Sequence, residues 1–419
     1  MVTRAATISA QMPTLAWEIV SDWKTLGGKF SRRLQRLESD ALCSAAKHRT
    51  GLEDFGEPPI DPALTVLVDS LEREANLHGL GRFLMLAHLR DLLATRLQLA
   101  DRWRRYAAAI AASDIQRPIF ITGMPRSGST FLHELLAEDP VNRVPRVWEV
   151  MFPVPLKDKL PTSMEPRVWK AEFYLWCFRR LAPGADSVYP MRAWTPHECV
   201  AIHSHTFLSE EFVSTCHIPT YEAFLRKTDS APAYRWQKQF LQYLQLGCST
   251  RRWVLKSPDH VRTLDKLLAA FPDALVIRTH RDPIDVIKSQ LQLTQVLEGL
   301  YARPGEYDQL AKREVRTLAD VSDHMIRFQD EHPLKSAQFV DVTYQELVTD
   351  PVAVVRRIYD QLSVRLMPAA AAQMYRLASN RSRYGGKKPA PTSAIDCGGH
   401  VTQFENYCAR FGVPFQRTN

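Results

Sequence analysis

The stretch Phe120-Ile121-Thr122-Gly123-Met124-Pro125-Arg126-Ser127-Gly128-Ser129-Thr130 decides how the rest of the chain is read. The apolar run at 119–121 predicts a buried strand, and Phe131-Leu132-His133-Glu134-Leu135-Leu136 continues as an amphipathic helix. Between them lies a glycine-bounded loop, the geometry that cradles a phosphate. Backbone N–H groups left unpaired at the helix start, helped by Ser and Thr hydroxyls, point at an anion there. The spacing from Gly123 to Gly128 fits a Walker A loop, but Ser129 stands where the loop lysine belongs. That lysine neutralises the outer phosphates of a nucleoside triphosphate, so its loss argues against ATP or GTP. A cation stands earlier instead, at Arg126 inside the loop.

Outward from this loop, 419 residues with 45% hydrophobic and 24% charged side chains can bury a substantial core. Lys and Arg outnumber Asp and Glu by 54 to 46, for a net charge of +8. That excess suits a pocket for an anionic nucleotide or contact with an anionic membrane surface. No basic block is dense enough for a nucleic-acid-binding arm. The seven cysteines, at 43, 177, 199, 216, 248, 397 and 408, form no CxxC, which fits reduced buried thiols better than a disulfide framework or a zinc site. Without a signal-peptide pattern or an apolar run of about 18 residues, a cytoplasmic protein is expected.

Residues 1–115 read as a helical N-terminal extension. Leu34, Leu37, Ala41 and Ala45 recur at helical spacing, as do Leu64, Leu67, Val68 and Leu71, with a break at Gly56-Glu57-Pro58-Pro59. Residues 14–37 are basic and amphipathic, with Trp17, Trp23 and Phe30 among their apolar positions, a pattern that suits packing on the chain's own core first and a peripheral contact with the inner face of a membrane second. From residue 116 to 419 strands alternate with helices, which predicts a parallel sheet flanked by helices. Trp253-Val254-Leu255, Leu275-Val276-Ile277 and Gln338-Phe339-Val340-Asp341-Val342 read as its further strands. The interval from about 150 to 250 reads as a helical insertion. Six of the nine tryptophans fall between 148 and 253, which suits either a second core or the lining of a lipophilic acceptor pocket.

Two more elements complete the pattern. The strand ending at His280 is followed by Arg281-Asp282-Pro283 and, on the next helix, Ser289. An Arg at a strand end and a Ser two helical turns on can converge on one phosphate, the first with a fork of donors and the second with a hydroxyl. Farther on comes Val342-Thr343-Tyr344-Gln345-Glu346-Leu347. With the PRSGST loop, these segments resemble the sulfotransferases that use 3′-phosphoadenosine-5′-phosphosulfate (PAPS), in particular the bacterial type grouped with the tyrosylprotein sulfotransferases. The resemblance covers about residues 115–415, and the N-terminal part is similar to the extension of bacterial members.

The resemblance implies a P-loop NTPase-like α/β fold. It places Pro125, Arg126, Ser127, Gly128, Ser129 and Thr130 on the 5′-phosphosulfate, Arg281 and Ser289 on the 3′-phosphate, and Tyr344 near the adenine. Sulfuryl transfer needs a base for the acceptor proton, cations for the sulfuryl oxygens, and a donor for the bridging oxygen. By resemblance the base is Glu149, the sulfuryl cation Arg126 and the donor Lys256. His260, four residues past Lys256, is the rival base. His197 and Glu198 open a further helix and stand as acceptor-pocket or supporting groups. His197, His203 and His205 match no firm ligand spacing, and the reaction needs no metal. The segment Arg383-Tyr384-Gly385-Gly386-Lys387-Lys388 has the chemistry, though not the motif, of the loop that closes on the 3′-phosphate in cytosolic sulfotransferases.

The expected activity is transfer of a sulfuryl group from PAPS to a hydroxyl of a small lipophilic acceptor, leaving 3′-phosphoadenosine-5′-phosphate (PAP). The alternatives are a P-loop nucleotide or small-molecule kinase, which the missing loop lysine disfavours, and a non-catalytic PAP-binding protein, which intact Arg126, Lys256 and Arg281 disfavour.

Overall fold

The structure, a computed structural model, describes residues 36–155, 159–164, 166–182, 184–188, 190–248, 251–303, 305–380 and 398–415. Nearly all of the expected membrane-contact segment 14–37 and the whole 383–388 segment lie outside the described residues.

Five parallel strands form the central sheet: β1 (Ile119–Gly123), β2 (Asn142–Arg143), β3 (Arg252–Lys256), β4 (Leu275–His280) and β5 (Phe339–Thr343), in the order β2-β3-β1-β4-β5. Four are legible as apolar runs; β2 is two residues at the edge, too short for any periodicity. β1 and β4 are buried along their whole length, as expected of central parallel strands covered on both faces, whereas edge strand β5 alternates buried and half-buried. Side chains leave the sheet with period two. Phe120, Leu255 and Val276 enter one core with Trp236 and Trp253, while Ile121, Val254 and Ile277 enter the other with Leu135 and Val355.

The sheet order places β1 between β3 and β4, so connections leave it to opposite sides and open a crevice at its carboxyl end. Register fixes what lines that crevice: Lys256 pairs with Ile121, and Thr279 pairs with Gly123.

The described residues before β1 hold α1 (Ser39–Thr50), α2 (Ala63–Arg73) and the long α3 (Gly79–Arg105). In α1 the buried positions are Leu42 and Ala46, one residue on from the predicted Ala41 and Ala45. These helices share a single core with Phe207, Phe212 and Tyr221 from the predicted insertion. Arg96, fully buried on α3, ties the two together. It donates to the carbonyls of Phe55 (2.9 Å), Gly56 (3.1 Å) and His205 (2.6 Å) and to that of Pro58, and lies 4.5 Å from the Trp236 ring. A buried cation is tolerated only when its donors are satisfied in this way.

Four further helices shape the site: α4 (Ser129–Ala137) after the loop, α5 (Val147–Met151), α6 (Arg167–Leu181) and α7 (Pro283–Tyr301), with α8 (Tyr307–Glu331) packed against α7. Gly81 lets α3 close on the end of α7, since a Cβ there would stand 1.7 Å from the Tyr301 carbonyl oxygen. Among the described residues no helix is long and apolar enough to cross a membrane, and all six cysteines are free, with Cys248 exposed rather than buried as expected.

Candidate active site

The loop between β1 and α4 is held from inside. Gly123 has φ +126°, and a Cβ there would lie 2.3 Å from the Thr279 carbonyl oxygen, so only glycine lets β1 turn away so close to β4. Ser127 faces inward, its hydroxyl bonded to the Met124 carbonyl and 2.6 Å from Thr279 Oγ1. Arg126 occupies the left-handed region at φ +61°, an uncommon conformation for a non-glycine residue and one that recurs at ligand-binding loops. Its carbonyl accepts from Arg281 Nη1 at 3.1 Å, and its own Nε donates to Ser289 Oγ at 2.9 Å. The two residues expected on a distant phosphate therefore meet at the loop arginine. The Arg281 guanidinium also lies 4.2 Å from the Tyr344 ring, and that ring packs beside Gly128. Arg281 Nε is buried with no hydrogen-bond partner among the described residues, a donor suited to an anionic oxygen.

On the other side of the loop opens a cavity of about 890 Å³. Pro125, Arg126, Ser129, Thr130 and Lys256 form one end of its wall; Arg281, Ser289 and Tyr344 are not part of it. Lys256, buried at the end of β3, donates to Thr130 Oγ1 at 3.3 Å and forms an ion pair with Glu198. Next in the wall come His197, Glu210, Asp259 and Arg262, with Arg262 3.8 Å from Glu210. Burial, then the neighbouring Glu210 and Glu198, push the Asp259 carboxyl up to about 7. Burial holds His197 below the usual imidazole range, and hence neutral near pH 7, against the opposing pull of Glu211 and Glu198. Beyond this belt most of the wall is apolar, with Leu80, Phe83 and Leu84 from α3, Phe173, Phe178 and Leu181 from α6, and Leu293, Leu297 and Leu300 from α7, although His88, Glu211, Glu222, Arg313 and Glu314 line it too.

The two residues expected as base, Glu149 and His260, are not brought to the cavity either. Glu149, buried in α5, accepts from Arg143 Nη2 at 2.9 Å with one oxygen and from the Arg146 backbone N–H at 2.9 Å with the other. Its carboxylate closes a capping box at the helix start. His260 is also buried away from it, its Nδ1 2.7 Å from the Tyr234 hydroxyl and its ring edge-on to Phe120. Burial, followed by His203, keeps His260 well below the usual imidazole range. In place of both, Glu198 and His197 stand in the wall. The segment around them lies along residues 145–148: His197 N–H donates to the Pro145 carbonyl at 2.8 Å and Val147 N–H to that of Thr195 at 3.1 Å. His203 bonds Gln237 at 2.7 Å, and among the described residues no group of His, Cys, Asp or Glu is placed to hold a metal ion.

A phosphate loop with arginine inside it and no Walker lysine, with a lysine supplied instead from the adjacent strand, sets this site apart from an NTPase. Residues 118–368 match the family model described as "Sulfotransferase family". The chain belongs to this family. Among curated proteins it is 26% identical, over 286 residues, to the omega-hydroxy-beta-dihydromenaquinone-9 sulfotransferase Stf3 of Mycobacterium bovis and of Mycobacterium tuberculosis. That match takes in 62% of this chain and 66% of the relative, just under two thirds of its length. Among solved structures, the sulfotransferase STF1 from Mycobacterium tuberculosis H37Rv superposes with a TM-score of 0.73 at 29% identity, covering 84% of this chain and 100% of that one. STF9 from Mycobacterium avium gives 0.78 at 23% identity over 91% and 98% of the two chains, a likeness of fold. The sulfotransferase fold thus accounts for the sheet order and the loop. The presence of Glu198 rather than Glu149 in the cavity wall has one signal in the sequence, the Pro196-His197-Glu198 opening of a helix, which spacing alone does not rank above Trp148-Glu149.

Proposed function

We propose that this protein transfers a sulfuryl group from PAPS to a hydroxyl of a lipophilic acceptor, with Glu198 as the base. The observation that carries the reading is the cavity: Arg126 and Lys256 at one end, the Glu198 carboxylate paired to Lys256 beside them, and a largely apolar chamber beyond. Pockets for drug-sized ligands span about 300–1,000 Å³, so this one has room for a bulky acceptor. Its wall also favours a hydroxyl borne on an extended apolar body over a short polar one. The Stf3 relatives act, by name, on an omega-hydroxy-dihydromenaquinone, and an acceptor of that lipophilic class is proposed here.

In this reading Arg126, Ser129, Thr130 and the loop N–H groups bind the 5′-phosphosulfate, while Arg281 and Ser289 bind the 3′-phosphate against Tyr344. Glu198 takes the acceptor proton as the acceptor oxygen bonds to sulfur. The bond from sulfur to the bridging phosphate oxygen breaks, and Lys256 donates to that oxygen as PAP leaves. Lys256 is suited to this role because it already stands between Thr130 and Glu198. Residues 1–115 then serve as an extension that completes the pocket through α3, beside a transferase unit of 116–419 whose 150–250 region supplies α6. The reaction and its donor belong in the cytoplasm.

Calorimetric titration with PAP, with ATP·Mg²⁺ as comparison, tests the donor; labelled PAPS with long-chain and short-chain alcohols tests the acceptor. Micromolar PAP binding without ATP binding is expected, as is faster turnover of long-chain acceptors. ATP·Mg²⁺ binding with PAP silent would sink the reading in favour of a kinase. PAP binding without turnover of any alcohol would leave a PAP-binding protein.

A further inference from the structure

Helix α6 is apolar where a soluble helix should be polar. Its buried side is formed by Arg167, Ala171 and Leu175. On the opposite side, at i, i+4, i+7 and i+11, stand Trp169, Phe173, Trp176 and Arg180. Trp169 is 47% exposed, Phe173 44% and Tyr174 40%. Among the described residues, six of the eleven exposed large apolar side chains fall within 160–194. Phe173 and Trp176 stack at 6.2 Å, Arg180 lies 5.4 Å from the Trp176 ring, and Lys170 lies 4.1 Å from the Phe152 ring. The helix carries four cations and one carboxylate, Glu172, which accepts from Ala193 N–H at 2.7 Å. A helix with apolar residues on both sides needs a cover for each.

We propose that this outer face of α6 docks on an anionic lipid bilayer, with Trp169, Phe173 and Trp176 in the headgroup boundary and Lys170 and Arg180 on the lipid phosphates. Trp and Tyr are suited to that boundary because one end of the ring is apolar and the other wet, and Lys and Arg reach from it to anionic headgroups. A second copy is the poorer occupant, since a two-fold contact through this face sets its cations against their own images. The position of the helix gives the docking a purpose. Phe173 lies on this outer face and also in the cavity wall, next to the partly exposed Tyr174 of the same wall, so an acceptor dissolved in the bilayer passes into the chamber beside one helix without crossing water. That last step rests on the lipophilic-acceptor reading; the docking itself does not.

The test is co-sedimentation of the full-length protein with phosphatidylcholine vesicles, with and without phosphatidylglycerol, in the absence of donor and acceptor. Binding only to the anionic vesicles, weakened by salt, is expected. Trp169→Ser with Trp176→Ser, neither of which touches the cavity, should reduce binding at least tenfold while PAP binding stays unchanged. Arg180→Glu should also lower it. No wild-type binding, or equal binding by the double variant, would overturn the proposal. So would a wild-type dimer that the double variant dissociates in analytical ultracentrifugation, since that assigns the face to a second copy. If vesicle binding holds but only soluble alcohols are sulfated, the acceptor reading fails and the docking stands.

Discussion

The two ends of the cavity are built in different ways. The phosphate end comes from short segments at the carboxyl ends of adjacent strands, where the chain direction and the register of β1, β3 and β4 leave little freedom. Gly123, Arg126 and Lys256, and Arg281 on the far side of the loop from the cavity, reach their places because each lies at or just past a strand terminus. The acceptor end is assembled from α3, α6 and α7, which are up to about two hundred residues apart and meet only by packing. The first end is specified by backbone geometry and tolerates little change; the second is specified by shape and volume and can be retuned. Substitutions at the phosphate end should therefore act on chemistry and nucleotide binding, and those at the acceptor end on acceptor choice.

The largest effect should come from the junction. Glu198→Gln is expected to lower turnover by about 10²–10⁴-fold, the usual worth of a general base, with PAP affinity by calorimetry unchanged. Glu149→Gln should keep its turnover per folded molecule and instead lower the thermal midpoint, because it weakens a buried pair with Arg143. The reverse pattern would return the base to Glu149 and break the proposed division.

Lys256→Ala should cost about 10²–10³ in kcat, comparable to the loss of one donor to a developing oxyanion. A change confined to the acceptor KM would place Lys256 with the acceptor instead. Arg281→Ala, which loses a charged hydrogen bond worth about 1.5–3 kcal/mol, should weaken PAP binding by roughly ten- to a hundred-fold. Acceptor KM should not move.

At the acceptor end, Leu297→Trp places extra volume in the chamber and should raise KM for long-chain acceptors about tenfold, in keeping with overpacking costs of about 1–3 kcal/mol. PAP binding should stay as in the wild type. Equal loss for PAP would show that the two ends are mechanically coupled.

The smallest expected effect concerns Asp259 at the junction. With its carboxyl raised from the ordinary 3.8 to about 7, the folded protein binds a proton there that the unfolded chain has released. Stability from this group is present at low pH and falls as pH rises between those two values. Thermal midpoints across that window should fall more steeply for the wild type than for Asp259→Asn, by a few degrees at most. Parallel curves would mean that Asp259 shares no proton with the carboxylates beside it.

Much of the phosphate end is legible in the amino-acid sequence. A strand-loop-helix signature is local, so the loop, Lys256 and the Arg281–Ser289 pair can each be placed from a few neighbouring residues. The base cannot. Distance past the loop favours Glu149, but α5 is a single short turn whose N-terminal N–H groups need a partner, and Glu149 provides it. Residues 194–197 then lie across 145–148 and carry Glu198 into the cavity wall. That exchange depends on hydrogen bonds between segments about fifty residues apart, for which no periodicity gives a sign. The aromatic-rich region suits both a second core and a pocket lining, and the structure divides it: Trp236 and Trp253 are core, Phe173 and Phe178 line the cavity, and Trp169 faces outward.

By itself the sequence determined the parallel sheet, the glycine-bounded loop after its first strand, and the placing of Arg126, Lys256 and Arg281 near strand ends. Each is written in residues close together in the chain, where backbone geometry follows from local composition. Only the tertiary structure decided which carboxylate stands beside Lys256 in the cavity wall, how three remote helices enclose that cavity, and which aromatic rings remain outside. Those outcomes depend on packing between distant segments, and packing selects among side chains that composition and spacing leave equivalent.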